Sequence, residues 1–246
     1  MPFFRKLIYA WTGYDRVKWL EHSMPEQTAD QFLLRSADHF NVCSDHVGAT
    51  IAPTPGTVFL CTHHTGAVDI LALYPILRQF AGDLKIVVNE KLMTLKVLNG
   101  IFIPVGTPTS LKDNEPGRLQ MTAHLQGGGN LLIYPAGKVG GKQNGRVQDS
   151  DWRHGGSQLI QENAKQVVLI LVDAENSALF YLIRRFFSRL SLLLILRALQ
   201  HRPKTPVKVY FGQPIPIEKI RELSPETMMR TLRQQTYRLK EIQNGN

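Results

Sequence analysis

Two rhythms of apolar and polar positions alternate along this chain. Short, largely apolar or β-branched runs recur at Thr57 to Cys61, Leu84 to Asn89, Gly100 to Val105, from Asn130 onward, Val167 to Val172 and Val207 to Phe211. Each has the length of a strand and is bounded by Gly, Pro or polar clusters. Between them lie stretches with helical spacing: Pro25 to about Phe40, Ala67 to about Phe80, Lys91 to Leu98, about Pro116 to Leu125, about Ser177 to Leu199, and Ser224 to about Ile242. The stretch beginning at Ala67 carries Ile70, Leu71, Leu73, Tyr74, Ile76 and Leu77, apolar on every side, which predicts a largely buried helix. Strands alternating with helices predict an α/β fold. Residues 3 to 20 repeat Phe3, Phe4, Leu7, Ile8, Trp11, Tyr14 and Val17 at helical intervals between basic residues. That is the composition of an interfacial helix, and equally the stripe of a helix packed on its own domain.

With 246 residues, 43% of them apolar and 20% charged, the chain can bury a sizeable core. No internal repeat or linker divides it. The simplest reading is one domain over residues 46 to 246, preceded by a helical segment over residues 1 to 45.

Charge narrows the partners. The formal net charge is +9, so the expected partner is anionic: a lipid surface, an acidic carrier protein or a nucleic acid. No acidic residue occurs from Asn176 to Ile217, while Arg184, Arg185, Arg189, Arg197, Arg202, Lys204 and Lys208 are interleaved with apolar bulk. This pattern fits an anionic bilayer, or a buried helix with a solvated basic rim. The chain has no helix-turn-helix, zinc-finger or RNP-type signature that would favour nucleic acid. The apolar run at the N-terminus is too short for a signal peptide, and none reaches the roughly 18 to 20 residues that span a bilayer. The expectation is a protein that is soluble or rests on a membrane. Cys43 and Cys61 have no metal-type or redox spacing, which fits a reducing cytosol.

The candidate chemistry sits in Thr62-His63-His64-Thr65-Gly66-Ala67-Val68-Asp69, between the first strand run and the buried helix. A carboxylate in the first helical turn can accept one imidazole N–H and leave the other nitrogen as a base. Four residues separate His64 from Asp69, among them Gly66, which permits a sharp strand-to-helix corner. That pair suits deprotonation of a hydroxyl or amine attacking a thioester. Equally, the residues alone allow two loop histidines and an aspartate favoured by the helix dipole. A second candidate is the loop Pro135-Ala136-Gly137-Lys138-Val139-Gly140-Gly141, whose glycines let backbone N–H groups approach a ligand and whose Lys138 adds a charge. It lacks the spacing of a phosphate-binding P-loop and reads otherwise as a surface hairpin.

Together these residues make the chain resemble the glycerolipid acyltransferase superfamily, marked by an H-x-x-x-x-D motif that His64 and Asp69 match. More narrowly, the chain is similar to the hemolysin-like or ornithine-lipid acyltransferase branch. His64 to Asp69 resembles that branch's HPxGAxD, Tyr134 to Val139 its FPAGEV, and Glu175 to Tyr181 its RNSxLFx; Leu196 to Ile215, ending in Val207 to Ile215, is similar to its closing strand and G-x-P-I turn. The resemblance implies a glycerol-3-phosphate acyltransferase-like α/β fold, with a mixed central sheet flanked by helices. It implies His64 as general base, Asp69 as its orienting carboxylate, and Thr65, Gly66, Pro104, Pro135, Gly137, Lys138, Asn176 and Ser177 as substrate-binding positions. The implied partners are a membrane lyso-lipid acceptor and a thioester donor on acyl carrier protein or coenzyme A, with no cofactor and no metal. The implied location is cytoplasmic, peripheral on the inner face of the cell membrane.

Phosphatidate-forming members of the superfamily are expected to hold the acceptor's phosphate with arginines that correspond here to Val105 and Val139. Without those guanidiniums a phosphomonoester loses its bidentate partners, which favours a lyso-aminolipid of the ornithine or glycine type over lysophosphatidic acid. Lys138 stands where the branch has Glu, and Ala174-Glu175 where it has Gly-Arg. A thioesterase using the same His and Asp with water is the rival enzyme; a non-catalytic basic membrane binder is the rival outside enzymes.

Overall fold

The computed structural model describes residues 11–23, 26–52, 54–106, 114–143, 145–186, 191–201 and 205–244. Helices α1 (Tyr14–His22) and α2 (Ala29–His39) lead into strand β1 (Ser44–Gly48), followed by β2 (Thr57–Cys61), α3 (Ala67–Leu77) and β3 (Leu84–Asn89). Two 3-10 turns, Glu90–Thr94 and Lys96–Gly100, precede β4 (Phe102–Val105), α4 (Glu115–Gln126) and β5 (Asn130–Ile133). A hairpin of β6 (Gly141–Gln143) and β7 (Arg146–Gln148) then leads through α5 (Ser157–Asn163) to β8 (Gln166–Asp173). Helices α6 (Ala178–Phe186) and α7 (Ser191–Gln200), strands β9 (Val207–Phe211) and β10 (Ile215–Pro216), and α8 (Pro225–Asn244) complete the order.

The main sheet runs β1-β9-β8-β2-β5-β3-β4, with β10 pairing β8 from off that path. It is parallel except where β9 and β10 meet β8, so the sheet is mixed as expected. Strand β2 lies in the middle, Phe59 pairing in register with Val168 on one side and Leu132 on the other. All five of its residues are buried because helices cover both faces. Phe59 and Cys61 join the core beneath α1, α2 and α3, while Val58 and Leu60 join the core beneath α4, α5 and α8. The same alternation splits Val168, Ile170 and Val172 of β8 from Val167, Leu169 and Leu171.

Helix α2 starts at Ala29 rather than Pro25 because Thr28 caps it: its Oγ1 accepts the Gln31 N–H, and the Gln31 side chain accepts the Thr28 N–H. Phe32, Leu33 and Ala37 of α2 share one core with Leu71 and Leu73 of α3, so the N-terminal helices pack on the domain that follows. Trp11 onward belongs to that packed segment, whereas residues 3–10 of the expected amphipathic helix lie outside the described residues. Two elements carry no apolar rhythm and have no counterpart in the sequence reading: β1, an edge strand supported by β9, and α5; the β6/β7 hairpin follows the Gly-rich loop, where a hairpin is one of the two readings. The long helix expected from Ser177 is resolved as α6 and α7, with 187–190 outside the described residues. No helix among the described residues is long and apolar enough to cross a membrane.

Candidate active site

The site grows from the C-terminal end of β2, the central strand. Thr62 fastens that end to β8: its N–H donates to the Ile170 carbonyl at 3.1 Å, and its Oγ1 accepts the Val172 N–H at 3.1 Å. The chain then turns into α3 at Gly66, whose φ of 89° and ψ of −103° lie where only glycine sits without strain. Asp69, in the first turn of α3, is wholly buried. Its Oδ2 accepts the N–H groups of Thr65 and Gly66, each at 2.9 Å, and its Oδ1 accepts the Thr65 hydroxyl at 2.6 Å. Burial opposes its ionisation, but His63, the Thr65 hydrogen bond and the nearby His64 outweigh this and hold its pKa below the ordinary carboxylate value.

The histidine beside Asp69 is His63, not His64. His63 Nδ1 stands 3.2 Å from Asp69 Oδ2, close but not aligned for a straight hydrogen bond, and the ring lines the cleft described below. His64 points the other way, only 5% exposed, with Nε2 2.9 Å from the Tyr237 hydroxyl on α8. The expected His64–Asp69 pair is therefore not formed, and the reason is backbone alternation: consecutive residues leaving a strand project to opposite sides, so only one of two adjacent histidines can face the carboxylate. The seven-residue pattern HPxGAxD, laid back from Asp69, also puts its histidine on His63 and its Gly-Ala on Gly66-Ala67.

His64 belongs to a buried polar support. The Tyr237 hydroxyl accepts the Asp149 N–H at 2.7 Å, and the Arg233 guanidinium donates to the Asp149 carbonyl at 2.7 Å. The Asp149 carboxylate in turn accepts the His63 backbone N–H at 3.0 Å and the Trp152 indole N–H at 2.9 Å. Asp149 is fully buried, and that burial raises its pKa despite His64, Trp152 and the His63 N–H. From the opposite side, the Asn176 side-chain amide donates to the Thr65 carbonyl at 3.1 Å, and the Tyr181 hydroxyl donates to the His64 carbonyl at 3.2 Å. The turn carrying both histidines is thus held by α8 and by the chain entering α6. Asp149, Tyr237 and Arg233 gave no sequence signal, because each is a single polar residue in a polar stretch; Tyr181 lay inside the RNSxLFx-like block.

A largely apolar cleft of about 420 Å³ opens beside His63. Its walls include Phe32 and Leu33 of α2, Ile70 and Leu71 of α3, Leu92 and Leu98 of the 3-10 turns, and Ile195 and Leu199 of α7. Of the expected substrate-binding residues, Gly66, Gly137 and Lys138 line it. Thr65 and Asn176 act on the turn as described, and Pro104 is in β4, next to the cleft-lining Val105. Pro135 is buried and its carbonyl accepts the Arg153 N–H, while the exposed Ser177 caps α6 by accepting the Phe180 N–H. Val139 also lines the cleft. Cys61, beneath the site, is fully buried and its thiol pKa is pushed well up by burial and then by Asp69, so it is no nucleophile.

The family described as Acyltransferase matches residues 17–244. Among curated proteins, the chain is 26% identical over 221 residues to a lyso-glycine lipid O-acyltransferase of Bacteroides thetaiotaomicron, covering 81% of this chain and 80% of that one. A protein of the same name from Phocaeicola vulgatus is 25% identical over 221 residues, covering 81% and 78%. Among solved structures, the 1-acyl-sn-glycerophosphate (LPA) acyltransferase PlsC from Thermotoga maritima shares the fold, with a TM-score of 0.50, 14% identity, and coverage of 98% of this chain and 99% of that one. With a family match running from α1 to the end of α8, around a histidine and aspartate at the head of an apolar cleft, the chain belongs to the acyltransferase family and is an acyltransferase.

Proposed function

We propose that this protein transfers a fatty acyl group from a thioester to the hydroxyl of a membrane lyso-aminolipid, with His63 as general base and Asp69 as its orienting carboxylate. The observation that carries the reading is the His63–Asp69 contact of 3.2 Å at an apolar cleft of about 420 Å³, a volume in the range of small-molecule sites. With Nδ1 turned to Asp69, His63 Nε2 takes no protein partner among the described residues and is available to a substrate. In the reaction the acceptor hydroxyl gives its proton to Nε2 as its oxygen bonds to the thioester carbonyl carbon. The tetrahedral adduct then expels the thiolate, which takes that proton back from the imidazolium, so the enzyme ends unchanged. No covalent acyl-enzyme is needed, in keeping with the inert Cys61. The depressed pKa of Asp69 keeps it anionic, and its charge stabilises the imidazolium formed midway.

Val105 and Val139, where phosphate-binding arginines are expected in phosphatidate-forming relatives, both line the cleft, which favours an acceptor without a phosphomonoester. The two lyso-glycine lipid O-acyltransferases to which the chain is similar support the same acceptor class. The donor is carried on acyl carrier protein or coenzyme A, and the +9 charge suits an acidic carrier. Exposed Leu179 and Leu182 on α6, in the acid-free stretch next to Asn176, form the surface by which the protein rests on the inner face of the cell membrane, where thioester and lyso-lipid meet.

The test is labelled acyl transfer in mixed micelles, with either donor type against lyso-glycine lipid, lyso-ornithine lipid and lysophosphatidic acid. Transfer to the aminolipids is the expected result. Preference for lysophosphatidic acid would overturn the acceptor, and release of free fatty acid without acceptor would make the protein a thioesterase.

A further inference from the structure

Two cations interrupt the apolar wall of the cleft on the side of the loop after β5. Lys138 and Arg153 both line it together with His63, and neither forms an ion pair among the described residues. Arg153 is fixed at its base, its backbone N–H donating to the Pro135 carbonyl at 3.1 Å. Its guanidinium lies against Gly137: a Cβ at that position would stand 3.2 Å from Cζ and Nε and 3.3 Å from Nη1. Gly137 also holds φ at +64°, a conformation that side-chain-bearing residues rarely adopt. The loop therefore turns in a way that lets an arginine from a distant segment lie on bare backbone at the cleft. A guanidinium held there without a carboxylate partner, next to a lysine and facing an apolar wall, is matched to an anionic group on an otherwise apolar ligand.

We propose that Arg153, with Lys138, forms the subsite for the acceptor's carboxylate, the free acid that an N-acylated amino acid retains. The inference rests on the reading of the protein as a lyso-aminolipid acyltransferase and assigns the part of the site that selects the head group. A planar carboxylate fits the two-pronged face of one guanidinium, and Lys138 adds charge without directional demand. The acceptor lies with its acid on Arg153, its hydroxyl at His63 and its chain along the apolar wall. The selectivity expected from Val105 and Val139 thus has a positive counterpart: phosphate-type arginines are absent from those positions, and a different arginine reaches the same cleft.

Equilibrium binding of N-palmitoylglycine and its methyl ester, measured by calorimetry in detergent, tests this without turnover because neither ligand carries an acceptor hydroxyl. The wild-type protein is expected to bind the acid about 10- to 100-fold more tightly than the ester, the usual worth of charge-assisted hydrogen bonds. Arg153→Gln should lose most of that ratio, Arg153→Lys should restore part of it, and Lys138→Gln should reduce it less. Both side chains are exposed, so the variants keep the fold, which circular dichroism verifies. Coenzyme A affinity should be the same in all four proteins. Equal binding of acid and ester by the wild type, or full discrimination in Arg153→Gln, overturns the proposal; loss of coenzyme A binding in Arg153→Gln with discrimination intact gives the cations to the donor's phosphates instead. Discrimination intact without acyl transfer to any hydroxyl lipid would sink the functional reading alone, whereas transfer intact without discrimination would sink only the carboxylate subsite.

Discussion

Tyr237→Phe is the sharpest probe of how the histidine turn is held. The hydroxyl it removes has two buried partners, His64 Nε2 at 2.9 Å and the Asp149 N–H at 2.7 Å. His64 is 5% exposed and Asp149 is not exposed at all, so water cannot replace the lost group. The aromatic ring stays, and with it the stacking on the His64 ring, whose centroid is 5.8 Å away, so little packing is lost. Each orphaned buried group costs roughly 1–3 kcal/mol. Because the two share one hydroxyl their costs do not simply add, and the expected loss is about 2–4 kcal/mol. In equilibrium urea unfolding with a slope of about 2 kcal/mol per molar, the midpoint should fall by about 1–2 M with the slope unchanged. A double-mutant cycle with His64→Ala should show a coupling of about 0.5–3 kcal/mol, since the two side chains make one contact. A loss below about 0.5 kcal/mol, the size of an ordinary surface substitution, would refute the support network.

Gly66→Ala should destabilise by about 2–3 kcal/mol in the same assay, because a Cβ would meet Ile195 side-chain atoms at 3.0 Å and the φ of +89° is itself strained; a change within about 0.5 kcal/mol would show the corner to be lax. The stability advantage of the wild type over Asp69→Asn should be pH-dependent. Asp69 has a lowered folded-state pKa, so its share is fully present above the unfolded value of 3.8 and is lost as pH falls through the lower folded value. A gap between the two proteins that stays constant through that acid window would contradict the assignment. Vesicles rich in phosphatidylglycerol should bind the protein less as salt rises, and Leu179→Gln with Leu182→Gln should weaken binding further by about tenfold or more, since both leucines are exposed and each buries roughly 1.5–3 kcal/mol of apolar surface at most. Salt-independent binding to neutral and anionic vesicles alike would remove the electrostatic part.

Most of the central sheet is legible because β2 to β5, β8 and β9 are short, mostly apolar runs bounded by turn residues. Leu84–Asn89 and Val207–Phe211 have the same bounds in the structure as in the sequence reading. Strand β1, with the sequence SDHVG, has no alternation to read, and exists because β9 supplies its hydrogen bonds. The Gly-rich loop reads as a ligand loop or a hairpin from sequence; in the structure Gly137 lines the cleft and Gly141 starts the β6/β7 hairpin. The site stretch is visible as a motif, yet the H-x-x-x-x-D spacing selects His64, and only the seven-residue pattern counted back from Asp69 selects His63. Where each ring points depends on the side to which it projects, and on Tyr237 and Asp149, which are distant in the chain. Arg153 was unreadable for the same reason, since only the fold brings it onto Gly137.

The central claim is that His63, not its neighbour, carries the chemistry. Initial rates of acyl transfer by His63→Ala and His64→Ala, each measured beside its unfolding curve, test it directly. The expected result is a loss of about 10²- to 10⁴-fold for His63→Ala with the fold intact, the usual contribution of a general base. His64→Ala should retain rates within about tenfold of wild type where it is folded, and lose stability because the Tyr237 hydroxyl loses one of its two partners. Near wild-type turnover in His63→Ala, with the large loss in His64→Ala at temperatures where that variant is folded, would contradict the account and return the reaction to His64.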